Sequence, residues 1–578
     1  MKKLLIFLRG YRKESVLAPT FKMLEAFFEL LVPIAVTAII DEGINNANSS
    51  RIWLMCGFML LLGLVGLVSA LCAQFFAAKA AVGFAAGLRS ALFAKIQSFS
   101  YSMTDKLGTS TLINRMTGDV NAVQTGVNMF LRLFMRSPFI VFGAMICAML
   151  IDLKLGLIFA VTIVVLAVIV FGIMLVSIAL HKRIQAKLDN TVTRVRSNYS
   201  GTRVIKAFNK QEKEIKEFDD SITALKGLQI FAGRISALMN PLTYVIVNLA
   251  VIILIRNGAL NVQSGTLTQG ELVALYNYMS QILVELIKLA SLIITLNKAA
   301  ASANRISAVL DAPADTEHGI RDSVAHSDAT VRFEGVSFRY GDNTESDLAI
   351  ENISFEVKKG QTVGIIGGTG SGKSTVVNLI PGFYHPSEGG VFINGKNASL
   401  LTSEERSDIF GIVPQRATLF SGTVASNLEW GRPDATEDEM WEALRLACAD
   451  DFIREKEGRL NEPILQDGKN LSGGQRQRLT IARALIRRPS VLILDDSASA
   501  LDYATEARLR RNINSLDYSP TVFIVSQRAS SIMHADIIIV LDDGRAVGIG
   551  THAQLMKSCE LYREIYDSQF SKGGEDNE

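Results

Sequence analysis

The chain has 578 residues, of which 49% are hydrophobic and 20% are charged, and its mean hydropathy is +0.26. A positive mean hydropathy over this length indicates a membrane protein of more than one domain, because a water-exposed surface needs more charge. The formal net charge of +2 gives nucleic acid no electrostatic reason to bind. The five cysteines form no CxxC pair and the six histidines show no metal-ligand spacing, which argues against a disulfide framework or a zinc site.

The first thirteen residues, Met1–Lys13, are basic and partly apolar. No small-residue cleavage site follows them, so we do not interpret them as a signal peptide. They predict an amphipathic helix on the cytoplasmic face of the membrane.

Six apolar segments follow, and a membrane-spanning helix needs about 20 apolar residues. Two of the segments, Ile52–Ala78 and Leu155–Leu180, contain no charged residue. The sequence therefore predicts a membrane domain over residues 1–310. Its six spans are predicted at about 16–40, 52–82, 131–152, 155–180, 235–256 and 271–297.

Basic residues are unevenly distributed among the connections between these spans. The segment 181–234 contains twelve Lys and Arg residues, whereas the connections 41–51, 152–154 and 256–270 contain one each. Connections rich in Lys and Arg stay in the cytoplasm. The pattern predicts a multi-pass protein of the inner (cytoplasmic) membrane, surrounded by lipid, with both termini cytoplasmic.

Four charged residues interrupt the apolar spans. Glu25 and Glu29 lie in the first span, and Glu285 and Lys288 lie three residues apart in the sixth, on one helix face. Charges at membrane depth are costly and usually face protein or water. One interpretation is a polar translocation cavity for a cationic or amphipathic substrate; the other is a structural ion pair or a charge near the membrane surface.

The second half of the chain differs from the first in composition and in predicted secondary structure. A linker at 311–329 contains Pro313 and scattered charges, and from Thr330 short β-rich runs alternate with turns. This alternation is typical of an α/β nucleotide-binding domain, which we predict over residues 330–578.

A phosphate-binding motif supports that prediction. The segment Gly367–Thr375 reads GGTGSGKST, follows an apolar strand and precedes a helix-like segment. In this context glycines let backbone N–H groups surround phosphates at a helix N-terminus, Lys373 reaches the β- and γ-phosphates, and Ser374 binds Mg²⁺. The predicted nucleotide contacts here are Gly367, Gly368, Thr369, Gly370, Ser371, Gly372, Lys373, Ser374 and Thr375.

Two further motifs follow the P-loop. The apolar run Val491–Asp495 ends in an acid that would support Mg²⁺ through water. The segment Leu471–Gln475, LSGGQ, leads into an arginine-rich helix-like stretch and resembles the signature motif of ABC ATPases. The resemblance to ABC exporters extends over essentially the whole chain and is most specific from 330 to 560.

This resemblance implies a multi-domain protein of the type IV exporter fold. An all-α six-helix transmembrane domain is followed by an α/β P-loop ABC ATPase domain, with ATP and Mg²⁺ as cofactors. It also implies a face-to-face dimer, because in this family the signature of one subunit closes over the nucleotide held by the other. The signature residues acting on partner-bound ATP would be Ser472, Gly473, Gly474 and Gln475.

Other positions match the family as well. Tyr340 occupies the place of the aromatic residue that stacks on adenine; Gln415 matches the Q-loop glutamine, which links Mg²⁺ to the membrane domain; and Asp502 ends the D-loop. The segments Asp105–Asp119 and Gly201–Phe208 resemble the intracellular loops whose short coupling helices contact the ATP-binding domains.

Three residues depart from the family pattern. Asp496 directly follows Asp495, at the position where exporters have the glutamate that activates the attacking water. An aspartate carboxylate reaches about 1.5 Å less far than that of glutamate. A displacement of about 1 Å from the reacting atoms can cost about 10²-fold in rate. Gln527 replaces the switch histidine and cannot become cationic or relay a proton. Gln466 replaces a glutamate before the signature.

An impaired site beside an intact signature predicts the degenerate-site subunit of a heterodimeric bacterial multidrug-type exporter. The partner would be a second ABC half-transporter that supplies the catalytic glutamate and the switch histidine. A slow homodimeric exporter and an ATP-gated regulator or sensor on the same frame remain alternatives. The six spans exclude a soluble ABC ATPase, and an importer is disfavoured because importers usually keep the two domains on separate chains. Lipid, peptide, siderophore and drug all remain open as substrates.

Overall fold

The computed structural model describes residues 2–313, 329–341 and 347–570. Most of the predicted linker, 314–328, and the C-terminal 571–578 therefore lie outside the described residues. Contacts divide the chain into two compact units. One contains Met1–Gln97 and Thr109–Ala312, and the other contains Ser98–Gly108 and Pro313–Glu578.

The first unit is helical. Among the described residues, six helical segments are long and apolar enough to cross a membrane: Lys3–Ile44, Ser49–Gln97, Thr109–Ile151, Leu153–Ser200, Gln211–Gln263 and Gln269–Asp311. This confirms the predicted fold class for the membrane half. The α-helices of this half of the chain are α1 Arg12–Ala38, α2 Ser49–Gln97, α3 Tyr101–Leu107, α4 Thr109–Asn114, α5 Val120–Leu133, α6 Arg136–Ile151, α7 Leu153–Ser200, α8 Thr202–Ala207, α9 Gln211–Ala237, α10 Met239–Gln263 and α11 Gln269–Asp311.

Local signals in the sequence explain where several of these helices begin. The Asp152 carboxylate accepts a hydrogen bond from the Leu155 N–H at 2.9 Å, so it caps α7. Thr268 and Glu271 form a reciprocal capping box at the start of α11. Short π-helical turns at Ile39–Ile44 and Arg115–Asp119 adjoin α1 and α5.

The N-terminal segment forms a 3₁₀-helix, Lys2–Tyr11, that packs against the second span. Leu4 is buried, and the Phe7 ring lies edge-on to Phe84 at a centroid distance of 6.4 Å. A Cβ at Gly83 would lie 2.0 Å from the Tyr11 ring, so this glycine makes room for the tyrosine. The basic N-terminus is thus anchored by apolar contacts to the membrane unit.

The second unit combines sheets and helices, as predicted for the ATP-binding half. Its strands are β1 Ala329–Phe338, β2 Ile350–Lys358, β3 Thr362–Gly367, β4 Glu388–Ile393, β5 Lys396–Asn397, β6 Phe410–Val413, β7 Gly422–Thr423, β8 Pro463–Ile464, β9 Val491–Asp495, β10 Thr521–Val525, β11 Ile537–Asp542 and β12 Arg545–Gly550. Its further helices are α12 Lys373–Leu379, α13 Ser403–Ile409, α14 Val424–Glu429, α15 Glu437–Leu446, α16 Asp450–Arg454, α17 Gly473–Leu485, α18 Tyr503–Asn514, α19 Ala529–Ile532, α20 His552–Ser558 and α21 Glu560–Phe570.

The central sheet of this unit has the strand order β12-β11-β3-β10-β9-β6. The strands from β11 to β6 are parallel, and β12 is antiparallel at one edge. Parallel strands buried on both faces read as continuous apolar runs, which β3 and β9 show. Ligands of such sheets bind beyond the carboxyl ends of the strands, so the ends of β3, β6, β9 and β10 define the candidate site.

Candidate nucleotide site

The P-loop joins β3 directly to α12. Gly372 lies at the N-cap of α12 with φ +93°, and no side chain caps the N-terminus of this helix. The first N–H groups of α12 are therefore left for an anion. A Cβ at Gly368 or Gly370 would meet nothing within 4 Å, so a phosphate can approach this backbone closely.

Lys373 turns back over the loop that precedes it. Its ammonium donates to the carbonyl oxygen of Gly367 at 3.0 Å and to that of Gly368. Burial lowers the pKa of Lys373, and the negative charges of Asp496 and Asp495 oppose this shift. A half-buried ammonium on loop carbonyls is poised to exchange these contacts for phosphate oxygens.

The predicted Mg²⁺ ligands converge at the end of β9. The Ser374 hydroxyl donates to Asp495 Oδ1 at 3.3 Å, and Gln415 Nε2 donates to Asp496 Oδ2 at 3.4 Å. Burial, followed by the neighbouring charge of Asp496, raises the pKa of the Asp495 carboxyl. A hydroxyl, an amide oxygen and one or two carboxylates beside a phosphate-binding loop form the hard-oxygen set that suits Mg²⁺ bound with ATP. The residues present therefore fit the implied cofactors; bound Mg²⁺ would neutralise phosphate charge there.

Asp496 adopts a left-handed backbone conformation with φ +46°. Its N–H donates to the carbonyl of Val525 at 3.1 Å, and its own carbonyl accepts from the Ser499 hydroxyl at 2.8 Å. Aspartate tolerates this region better than most residues. Hydrogen bonds to Val525 in β10 and to Ser499 therefore fix the backbone of Asp496, the residue that replaces the family's glutamate.

Gln527 follows β10 and is exposed. Gln569, in α21, holds this loop: its amide donates to the Gln527 carbonyl at 2.8 Å and accepts from the Ala529 N–H at 2.8 Å. Sequence reasoning missed Gln569, because 42 residues separate it from Gln527. A glutamine on a C-terminal helix carries no signal of this contact.

Tyr340, the residue predicted to stack on adenine, lies beside the P-loop helix α12. Its hydroxyl is 3.0 Å from Thr375 Oγ1, and its side chain is 48% exposed, which leaves ring surface for a base. Edge-on contacts with Phe338 at 4.9 Å and Tyr384 at 5.5 Å brace the ring. Tyr384 is a second residue that sequence reasoning did not find.

The signature lies at the start of α17, with Ser472 as the N-cap residue. The N–H of Gln475 donates to the Ser472 hydroxyl at 3.3 Å, and the N–H of Ser472 donates to Gln475 Oε1 at 2.9 Å, which makes a capping box. Ser472 and Gly473 are exposed, and a Cβ at Gly474 would lie 3.0 Å from the Ala500 carbonyl. Each of these two side chains accepts a hydrogen bond from the backbone N–H of the other residue, so the start of α17 is ordered while Ser472 and Gly473 stay exposed.

The surroundings of the signature are also ordered. Asp502 caps α18 by accepting from the Thr505 N–H at 2.8 Å, and this hydrogen bond lowers the pKa of Asp502. Gln466 begins a short 3₁₀ turn, Gln466–Gly468, just before the signature. A cavity of about 660 Å³ has both Gln415 and Gly473 in its lining.

The four charged residues that interrupt the predicted spans belong to one network centred on Arg136. Glu285 is 2% exposed and accepts from Arg136, from Ser137 at 2.8 Å and from Lys288 at 2.8 Å. Arg136 also donates to Glu29 at 2.7 Å. For Glu285 this arrangement favours the structural ion pair over an open cavity.

Glu25 belongs to the same network, since it accepts from Lys22 at 2.8 Å and lies 3.8 Å from the Arg136 guanidinium. Sequence reasoning missed the part played by Arg136, because only the fold brings the third span against the first and the sixth.

Comparison with known proteins accounts for both halves. The family model described as ABC transporter transmembrane region matches residues 16–286, and the model described as ABC transporter matches residues 350–499. An uncharacterised ABC transporter ATP-binding protein, YfiB of Bacillus subtilis (strain 168), is 35% identical over 100% of both chains. The chain belongs to the ABC transporters. It is a half-transporter, with one transmembrane domain fused to one ATP-binding domain.

Other relatives agree over nearly the full length. An uncharacterised ABC transporter ATP-binding protein of Mycobacterium tuberculosis is 36% identical over 97% of both chains, and an ATP-dependent lipid A-core flippase of Chromobacterium violaceum is 29% identical over 99% of this chain and 97% of its own. The structure of a bacterial Atm1-family ABC exporter with ATP bound superposes with a TM-score of 0.81 at 23% identity, covering 98% of this chain and 99% of that chain. The ABC half-transporter therefore has the exporter fold that the sequence predicted.

Proposed function

We propose that this half-transporter is the subunit of a heterodimeric exporter that carries the weaker of two ATP sites. Its P-loop holds ATP with Mg²⁺ for long periods, and Ser472–Gln475 completes the working site on the partner. The partner is a second ABC half-transporter that contributes the catalytic glutamate and the switch histidine. ATP binding closes the ATP-binding domains and opens the membrane cavity outward, and hydrolysis on the partner resets them.

The observation that carries the proposal is Asp496. A general base must lie within hydrogen-bond reach of the water that it activates. The Asp496 carboxylate is one methylene shorter than glutamate, it lies 3.4 Å from the Gln415 amide, and its backbone is fixed by Val525 and Ser499. Such a group can accept hydrogen bonds near Mg²⁺, but it reaches an attacking water poorly.

Gln527 adds to this weakness. Its amide can donate a hydrogen bond to a phosphate oxygen, yet it stays neutral at every physiological pH. A histidine at this position could become cationic and stabilise developing negative charge. Both departures affect the nucleotide that this chain would bind, whereas the signature sequence is unaltered and its Ser472 and Gly473 are exposed.

The site of action follows from the distribution of charge. We place the half-transporter in the cytoplasmic membrane with both termini inside, because its basic connections are the long ones. The substrate would cross between the two transmembrane domains. A relative named as a lipid flippase keeps lipid among the candidates, together with peptides, siderophores and drugs.

The proposal is tested by restoring the usual residues. In the assembled transporter, with the partner's catalytic glutamate replaced by glutamine, Asp496→Glu combined with Gln527→His should raise ATP turnover by about 10- to 100-fold. A third change, Lys373→Ala, should abolish the gain and so show that it arises at this P-loop. Steady-state phosphate release measures all three.

The unmodified chain provides a second readout. Purified without a partner, it should release phosphate far more slowly than the assembled transporter. Turnover by the isolated chain at the rate of an ordinary exporter would contradict the proposal of two unequal sites and would favour a homodimer in which Asp496 supports hydrolysis. Nucleotide binding with no transport by any assembly would favour a regulator or sensor.

A further inference from the structure

A cluster of aromatic residues lies on the adenine side of the P-loop. Tyr384 forms its centre: its ring is 5.5 Å from that of Phe338 and meets the Tyr340 ring edge-on at 5.5 Å and 81°. Such edge-to-face pairs stabilise a fixed ring orientation beyond the area that they bury. The orientation of Tyr340 therefore depends on where Tyr384 is held.

The end of α12 determines where Tyr384 is held. The Phe383 N–H donates to the Asn378 carbonyl at 3.2 Å and the Gly382 N–H to the Leu379 carbonyl at 3.1 Å, with Gly382 at φ +69°. This is a Schellman ending, in which glycine supplies the left-handed residue. The helix that begins at the P-loop thus ends by placing Phe383 and Tyr384 side by side.

The short helix α3 contacts the other face of this pair. The Tyr101 ring stacks on Phe383 at a centroid distance of 4.2 Å, and Asp105 Oδ2 accepts from the Tyr384 hydroxyl at 2.5 Å. Residues four apart share a helix face, so α3 presents one face to the cluster. These contacts place Ser98–Gly108 within the ATP-binding unit, although the chain connects the segment to the second and third spans.

The contacts form a continuous path. It begins at Asp105 in α3, passes through Tyr384 and Tyr340, and ends at the Thr375 hydroxyl, 3.0 Å from that of Tyr340. Burial and the neighbouring Asp105 raise the pKa of Tyr384, so its phenol remains a hydrogen-bond donor throughout the physiological range. Every link is a direct contact between side chains of one compact unit.

We propose that Tyr384 is a positioning residue. It links the binding of adenine on Tyr340 to the docking of the segment Ser98–Gly108, which Tyr384 contacts through Asp105. A base stacked on Tyr340 favours the orientation of the Tyr340 ring that the edge-on contact with Tyr384 stabilises. The hydrogen bond to Asp105 holds Tyr384 in the position that makes this contact. Binding at either end therefore stabilises contact at the other, as reciprocal linkage requires. The proposal rests on the predicted stacking of adenine on Tyr340.

The test compares ATP with inorganic tripolyphosphate, which offers phosphates but no base. The full-length chain, in lipid nanodiscs with EDTA to exclude Mg²⁺ and turnover, is titrated with each compound. Tyr384→Phe and Asp105→Asn should each raise the Kd for ATP about threefold or more, because the first removes this hydrogen bond and the second removes its charge assistance. The Kd for tripolyphosphate should stay within twofold, since the P-loop is unaltered.

Two controls sharpen the comparison. The double variant should bind ATP no more weakly than the weaker single variant, because one shared interaction is lost only once. Tyr518→Phe removes a phenol hydroxyl that is buried without a hydrogen-bond partner among the described residues, so both Kd values should stay unchanged.

Three results would overturn the proposal: ATP affinities within twofold in both single variants, equal losses for tripolyphosphate and ATP, or additive losses in the double variant. If ATP bound the unmodified chain no more tightly than tripolyphosphate, the stacking role of Tyr340 would fail with it. Because no hydrolysis occurs in this assay, its outcome is independent of whether Asp496 and Gln527 impair turnover.

Discussion

At the scale of one residue, Gly372 is a position in the P-loop where no residue other than glycine fits without strain. It has φ +93°, and a Cβ there would lie 2.8 Å from Ile350 Cγ2 and 2.9 Å from the Ala349 carbonyl. We expect Gly372→Ala to destabilise the nucleotide-free ATP-binding unit by about 1–3 kcal/mol, since a left-handed alanine is strained and also clashes. Thermal unfolding of the full-length chain without nucleotide measures the loss.

Gly368→Ala is the matched control for that change. A Cβ at Gly368 meets nothing within 4 Å, and its φ lies outside the left-handed region. Its unfolding temperature should match that of the unmodified chain within a degree or so. Equal destabilisation by both substitutions would contradict the steric account of this loop.

Much of the nucleotide site was predictable at this scale, for a physical reason. The P-loop, Gln415, Asp495 and Gln527 each lie at or just beyond the carboxyl end of a parallel strand, and the carboxyl ends of adjacent strands meet at one edge of the sheet. Gln569 and Tyr384 were not predictable, because their contacts depend on how α21 and the end of α12 pack. Residues that belong to a sequence motif can be recognised from the sequence. Residues whose contacts arise only from tertiary packing cannot.

At the scale of helices, Arg136 joins three predicted spans. It lies at the start of α6, is 6% exposed, and binds Glu29 in α1 and Glu285 in α11. Removing one partner of a buried ion pair strands the other charge at a cost of about 3–5 kcal/mol. Arg136→Leu should therefore lower the thermal stability of the purified transporter by several degrees, measured by size-exclusion chromatography after heating.

Two further variants distinguish a stranded charge from lost packing. Adding Glu285→Leu to Arg136→Leu should recover part of the stability, because the uncompensated carboxylate is gone. Arg51→Leu breaks the exposed pair with Glu42 and should cost at most about 1 kcal/mol. The account would be contradicted if the double variant recovered no stability and Arg51→Leu lowered stability as much as Arg136→Leu. The network would then not stabilise the packing of these helices.

The helices also show where hydropathy stops being informative. Apolar runs indicated six spans, but α7 continues to Ser200 over 48 residues, about 72 Å at 1.5 Å per residue. Composition could not reveal that α3, in the middle of the membrane half of the sequence, packs with the ATP-binding unit.

At the scale of the whole molecule, one chain carries two functions that the proposed dimer separates. In the proposed dimer its own nucleotide would face Asp496 and Gln527, whereas its signature, at the N-terminus of α17, would face the nucleotide of the partner. The chain would therefore contribute to hydrolysis chiefly through residues that never contact the ATP bound by its own P-loop. A single subunit can then lose its catalytic acid without disabling the transporter.

The most direct test measures ATP turnover of the assembled transporter after altering each function of this chain in turn. Asp496→Asn removes the acid at its own site, and Ser472→Arg obstructs the signature at the partner's site. Our account predicts that Asp496→Asn keeps turnover within about twofold and that Ser472→Arg reduces it by about 10²-fold or more. A transporter stopped by Asp496→Asn yet active with Ser472→Arg would contradict it.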